Sequence, residues 1–406
     1  MSASTPQAKR RLRARSMIFA SCVTASLAAV HPASAQYSTY NGTYFVPGLN
    51  ETSDVWTNQN TPTRLSSRVS LGAVRVPNLT NYREIDFQTQ ELANAVRGEP
   101  GGYTFYMIGH SMGGVTSRNL LLSPNPGINT ASRIAGIVTV ASPNRGAPVA
   151  EKAQQYDPRS TLGLIEGLIY TIKTGVLNLA FGALDAIASW YIRHQLDEGL
   201  FDKLNATAQG LKLPGAIDLK PSSPNIQRLG NASDAVPHAA VWGSVPQQYA
   251  WARLAASREF DSPEDKVHSV KRSRTIFRVC KAIFYNIIIK TGTGRVCASG
   301  DRAIGGFDEK WKEWTHFSNN QNSPTDGLLP EESLRYPFEG DPARQLRANG
   351  NEDHFSIVWR TPGVNRIGDG MFAARMRPAS APPPPPDPED PPTGGCADPR
   401  QIICDP

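Results

Sequence analysis

Residues 103–122, YTFYMIGHSMGGVTSRNLLL, decide how the rest of the chain must be arranged. Tyr103, Phe105 and Met107 alternate with Thr104, Tyr106 and Ile108, the period-two pattern of a strand. Beyond the glycines, Val115, Asn119 and Leu122, with Leu120 and Leu121, fall at helical spacing. The junction is Gly109-His110-Ser111-Met112-Gly113-Gly114, a G-x-S-x-G pattern in which strand becomes helix within a few residues. A serine on so tight a turn takes a strained backbone, and a Cβ at Gly109 or Gly113 is predicted to collide with the other flank. Ser111 is thereby displayed as a candidate nucleophile. Unpaired N–H groups at the start of a helix favour developing negative charge, which makes the backbone N–H of Met112 a candidate oxyanion donor. G-x-S-x-G also arises by chance, so the pattern gains meaning only if the chain supplies a base, an acid and a second donor.

A length of 406 residues accommodates one large α/β domain with insertions, or two domains. Residues 1–35 read as a secretory signal peptide: Lys9, Arg10, Arg11, Arg13 and Arg15 precede an apolar run from Met17 to Val30, and Ala33-Ser34-Ala35 forms a small-residue cleavage site. The run is shorter than the roughly 20 residues a spanning helix needs. The expected location is secreted or periplasmic. The leader holds five basic and no acidic residues, so its removal takes the formal charge from +6 to +1. The mature chain then has no electrostatic footprint for nucleic acid and no charge block that would hold an anionic membrane. Four cysteines remain, Cys280, Cys297, Cys396 and Cys404; in an exported chain they favour disulfides, and of three possible connectivities the short-range one, 280 with 297 and 396 with 404, is expected. With no CxxC and no clustered histidines, neither a metal nor a cofactor is expected.

In chain order, Thr43-Tyr44-Phe45-Val46 is a short apolar strand ending at Pro47-Gly48-Leu49-Asn50. Gly48 lets the backbone bend close to a substrate, and the N–H of Leu49 is the candidate second oxyanion donor; Pro-Gly is equally an ordinary turn. Residues 82–97 form an amphipathic helix with Ile85, Leu92 and Val96 as its apolar points. Arg133 to Ala141 is a near-continuous apolar run, as expected of a strand covered on both faces in a parallel sheet, and it leads into SPNRGAP. Strands alternating with helices in this way predict a mainly parallel sheet flanked by helices. Thr161 to Leu196 is apolar at helical spacing but broken by Glu166, Lys173 and Asp185, which suits an inserted helical cap of about residues 150–230 rather than a membrane span. His238 to Gly243 returns to a strand. A polar and aromatic insertion follows at about 250–322, and 378–406 is a proline-rich tail. The catalytic domain is thus expected over 36–377.

Seven histidines narrow to His268, His316 and His354 once the leader, the cap, the turn residue His110 and the strand residue His238 are set aside. An acid and then a histidine are expected to follow a serine displayed in this manner. His354, in the polar loop NEDHFSIVW near the end of the body, is the favoured base, and Asp326, on the turn SPTDGLLP just before it, the favoured acid. Asp301, Asp308 and Asp353 compete; Asp353 adjoins His354 in sequence, where neighbouring side chains diverge.

Together, VPGLN, GHSMGG, TVASPNRGAPVA, TDGLLPEES and DHFSIVW resemble the α/β-hydrolase lipases and esterases, particularly bacterial triacylglycerol lipases, over about residues 42–150 and 236–370. The resemblance implies an α/β-hydrolase fold with a helical cap, a Ser111-His354-Asp326 triad, and Leu49 and Met112 at the oxyanion hole. Pro47 stands where the family often has histidine, the cap is long, and the insertion after Gly243 has no counterpart. The implied partner is a small-molecule or lipid ester, met in part at a lipid interface, with the oligomeric state left open. Amide hydrolysis or acyl transfer at the same serine, and a non-catalytic binding protein on this scaffold, are the alternatives; labelling by a fluorophosphonate separates the last from the others.

Overall fold

The computed structural model describes residues 37–155, 210–232, 234–258, 260, 262–282, 292–337 and 340–379. The expected signal peptide, most of the expected cap, the tail from residue 380 and Cys396 and Cys404 lie outside these residues, as do the side chains of Cys280 and Cys297.

Six strands form one all-parallel sheet: β1 Gly42–Val46, β2 Ala73–Arg75, β3 Phe105–His110, β4 Ile134–Val140, β5 His238–Trp242 and β6 Gln345–Arg347, in the order β2-β1-β3-β4-β5-β6. The helices that matter here are α1 Ile85–Gly98, α2 Met112–Leu122, α3 Pro148–Gln155, α4 Ala250–Ser257, α5 Pro263–Lys281, α6 Gly292–Thr315 and α7 Thr361–Ala373.

Of the alternating stretch 103–108, the strand takes in residues from Phe105 onward and both of its faces are covered there, whereas Tyr103 precedes it and is exposed. Tyr44, Val46, Phe105, Met107 and Ile137 join Leu92, Val96 and Leu120 of α1 and α2 in one apolar cluster. Phe45, Tyr106, Ile108, Val138 and Val140 join Val364, Ile367 and Met371 of α7 in another. Every residue of β1 and β3 is buried, as parallel strands between two helical layers must be. The expected helix at 82–97 is α1, with Ile85, Leu92 and Val96 all at 0% exposure.

The strand order places the site. From β1 the chain goes to β2 on one side and then returns across β1 to β3 on the other. The loops leaving the carboxyl ends of β1 and β3 therefore diverge, and a crevice opens between them; open parallel sheets bind ligands at such a point. The Pro47-Gly48-Leu49 turn and the Ser111 turn sit there side by side.

Among its described residues, the insertion at 250–322 includes helices α4, α5 and α6, packed around a core that includes Trp251, Leu254, Val270, Phe277, Ile304 and Trp311. Ser262 caps α5, its side chain accepting from the Asp265 N–H; Glu264 and Asp265 lie in the first turn and Arg278 and Lys281 in the last, each favourable to the helix dipole. No described helix is long and apolar enough to cross a membrane.

Candidate active site

Ser111 sits at φ 50°, ψ −126°, between the end of β3 and the start of α2. A non-glycine residue there costs on the order of 1–3 kcal/mol, and persists only where its surroundings impose it. They do: the Ser111 N–H donates to the Val140 carbonyl of β4 at 2.8 Å, and a Cβ at Gly109 would strike the backbone of Gly113 and Gly114. The collision expected at Gly113 has a different cause. Its Cβ would meet the carbonyls of Val46 and Pro47, so this glycine lets the turn pack against the exit of β1.

Ser111, His354 and Asp326 come together although they lie far apart in the chain. The Ser111 hydroxyl is 3.0 Å from Nε2 of His354, and Nδ1 of His354 is 2.8 Å from Oδ2 of Asp326. All three are buried. The aspartate is fixed by its own turn: Oδ1 accepts the N–H groups of Leu328 at 2.9 Å and Leu329 at 2.7 Å, which leaves Oδ2 for the imidazole. The Asp326 carbonyl also accepts the His354 N–H at 2.9 Å. An ionised carboxylate can only accept, so Nδ1 carries the proton and Nε2 is left as an acceptor facing the serine O–H.

Leu49 lies beside this group, and Met112 is the first residue of α2. Among the described residues, neither of their backbone N–H groups donates to a protein acceptor. The two turns are in contact, since a Cβ at Gly48 would lie 2.7 Å from Ser111 Cβ.

The competing residues have other work. Asp301 pairs with Arg274 and Arg278 between α5 and α6, and Asp308 accepts the Tyr249 N–H at 2.6 Å. Asp353 folds its own loop, Oδ1 accepting from the Phe355 and Ser356 N–H groups and Oδ2 from the Ser257 hydroxyl at 2.5 Å; burial pushes its carboxyl up against these bonds. His316 is held by the carbonyls of Lys312 and Ser323, and His268 is exposed on α5.

Sequence reasoning passed over Glu51. Its Oε2 accepts the Gly48 N–H at 2.5 Å and lies 2.9 Å from Nδ1 of His110, whose Nε2 is 2.7 Å from the His354 carbonyl. The His110 ring packs 5.1 Å from that of His354.

A cleft of about 620 Å³, counted to its open mouth, lies over Ser111 and His354, with Leu49, Ala147, Val149, Leu211, Leu219 and Leu328 among its walls. A more polar cleft of about 570 Å³ adjoins it and shares Asn50, Glu51, Arg258 and Phe355. Among the described residues, no group of three or more histidine, cysteine or acidic side chains could hold a metal ion.

The profile of the PGAP1-like alpha/beta domain matches residues 93–160, the stretch that carries β3, the Ser111 turn, α2 and β4. No curated protein matches the sequence. Among solved structures, the mature form of the lipase BlEst2 from Bacillus licheniformis is similar at 14% identity and TM-score 0.41, over 83% of this chain and 92% of that one. EstA from Clostridium botulinum is similar at 14% identity and TM-score 0.41, over 86% and 91%. Lipase 1 from Pelosinus fermentans is similar at 13% identity and TM-score 0.40, over 83% and 98%. With its parallel sheet, the strained serine between β3 and α2 and the matched segment around them, the chain has an α/β-hydrolase fold and resembles the lipases and esterases.

Proposed function

We propose that this chain is a serine hydrolase that cleaves carboxylic esters with an apolar acyl group, exported to the periplasm or beyond. The observation that carries the reading is the 3.0 Å approach of His354 Nε2 to a serine hydroxyl held on a strained turn, because an alcohol is a weak nucleophile until an adjacent base takes its proton. In this reading Ser111 attacks the ester carbonyl while His354 takes its proton. Asp326 keeps the imidazole in the required tautomer and stabilises the imidazolium. The N–H groups of Leu49 and Met112 receive the oxyanion, a contribution worth on the order of 10²- to 10³-fold in rate for each donor. His354 then returns the proton to the leaving alcohol, and water enters to release the acyl-enzyme by the same path in reverse. The leucine- and alanine-lined cleft supports an apolar acyl half.

Ser111→Ala is expected to abolish hydrolysis of p-nitrophenyl esters and labelling by a fluorophosphonate. Labelling that survives the substitution would place the nucleophile elsewhere. A rate series over acyl chains of increasing length, run below and above the solubility limit, reads out the acyl preference and any gain at an interface.

A further inference from the structure

We propose that Glu51 and His110 form a buried carboxylate–imidazolium pair that acts as the positioning device of this site, holding the Gly48-Leu49 turn and the main chain of His354 in register around Ser111. The inference rests on the reading of Ser111 and His354 as nucleophile and base, and adds two residues to it that take no part in the proton transfer.

The protons can be placed from the partners. His110 Nε2 faces the His354 carbonyl, which can only accept, so this nitrogen carries a hydrogen. Nδ1 faces Glu51 Oε2, and one proton is shared between them. A carboxyl is the stronger acid of the two, and the Gly48 N–H on the same oxygen favours the ionised form, so the proton belongs to His110 and both of its nitrogens are donors. Burial opposes the charge on each partner. For His110 the Glu51 carboxylate, the His354 carbonyl and the Asp326 charge together overcome that penalty and raise its pKa, and for Glu51 the His110 ring, the Gly48 N–H and the His354 charge together overcome it and hold the carboxyl below its usual range. Of the other titratable groups, His354 and Asp326 bear electrostatically on the pair and Arg258 shares both clefts with Glu51; the rings of Trp56 and Phe355 each lie 6.2 Å from that of His110.

Three chain segments are thereby tied to one charge pair. Glu51 holds the turn that carries the Leu49 donor, His110 adjoins the nucleophile covalently, and its other nitrogen holds the base. Hydrolytic catalysis of this kind depends on fixed geometry, and a displacement of about 1 Å can cost up to ~10²-fold in rate. A glutamine at 51 does not replace the pair. Its single oxygen satisfies both Gly48 and a protonated His110 only if the imidazolium stays buried without a counter-charge. Turning the NH₂ toward the ring instead sets two donors against each other at Gly48.

Steady-state kinetics and ¹⁵N NMR of histidine-labelled protein test this. Glu51→Gln is expected to lower kcat about 10- to 100-fold with KM within about twofold, and Glu51→Asp to recover part of the loss. Glu51→Gln combined with His110→Gln, whose amide can still reach the His354 carbonyl, is expected to cost no more than the worse single change. In the wild type, both His110 nitrogens should show protonated shifts well above pH 7, and in Glu51→Gln that signature should vanish. A neutral His110 ring in the wild type, a Glu51→Gln kcat within threefold of wild type, or a loss confined to KM would overturn the proposal. Should Glu51→Gln not fold, Glu51→Asp and the wild-type spectrum still decide. Failure of wild type to label with a fluorophosphonate would remove the catalytic reading, whereas the spectrum reports on the pair alone.

Discussion

Asp326→Asn isolates the role of the acid, because the structure dictates how asparagine must sit. Oδ1 of Asp326 accepts two backbone N–H groups, from Leu328 and Leu329, at 2.9 and 2.7 Å. An asparagine therefore keeps its oxygen on that side, since the opposite orientation would leave both N–H groups without an acceptor and set them against an NH₂. The amide NH₂ then faces Nδ1 of His354, which sits 2.8 Å from the second oxygen in the native protein. Two donors cannot share that contact, so the imidazole shifts its proton to Nε2 and presents an N–H to Ser111 instead of a lone pair. A base in the wrong tautomer costs on the order of 10⁴-fold in kcat, about 5.5 kcal/mol of barrier. KM should move little, because Asp326 is fully buried and is not among the residues that line the cleft. Initial rates on a soluble p-nitrophenyl ester over a range of concentrations measure both parameters, with the melting temperature as a control for folding. A kcat within tenfold of wild type in a folded variant would refute the tautomer argument and, with it, the assignment of Asp326.

Two further substitutions test how the surroundings act. Trp311→Phe keeps the ring packed in the core of the insertion but removes the Nε1–H that donates to the Gly327 carbonyl at 2.8 Å; a loss of about 1–3 kcal/mol in urea unfolding and a several-fold fall in kcat are expected, and an unchanged kcat would show that α6 does not steady the acid. Glu352 is fully buried, and burial raises its carboxyl from 4.5 to about 7, against the Ser356 hydroxyl and the Arg360 charge. A raised pKa means that the folded state holds the proton more tightly, so this stabilisation is fully present below pH 4.5 and is lost as pH rises through about 7. Melting temperature should accordingly fall between about pH 5 and pH 8, and Glu352→Gln should flatten that fall and melt higher than wild type at pH 8; parallel curves for the two proteins would count against it.

The parts of the fold visible in the sequence are those where one physical demand dominates a short stretch. Continuous burial wrote itself into β4 as an apolar run, and the strained turn at Ser111 demanded glycines at fixed offsets. β2 and β6, by contrast, are three residues long at the sheet edges, too short for any periodicity. The α5 start was legible in principle, since Ser262-Pro263-Glu264-Asp265 carries an N-cap, a proline in the first turn and acidic residues for the dipole. Asp326 and His354 could be placed by their order after the serine. Glu51 could not: nothing in PGLNE reveals that its carboxylate reaches a histidine 59 positions later, because the partner is chosen by the sheet's switch point rather than by spacing.

That difference also explains what the insertion contributes. β3 fixes Ser111 directly, but Asp326 lies far along the connection from β5 to β6 and His354 in the loop after β6. The segment from β5 through the insertion closes on both. The Val245 N–H donates to the Thr325 carbonyl, Gln247 to that of Ser323 and Trp311 to that of Gly327, so the turn around Asp326 is gripped on each side. On the base side, Arg253 donates to the Asn351 carbonyl and Ser257 to Asp353, immediately before His354. Both loops are thus fastened to the same helical body, with α4 holding the His354 loop and α6 the Asp326 turn, while the Glu51–His110 contact links the Gly48 turn to the His354 main chain. The 3.0 Å approach of imidazole to serine therefore depends on a body outside the sheet. Local loosening of α4–α6 should lower kcat at temperatures where the sheet is still folded.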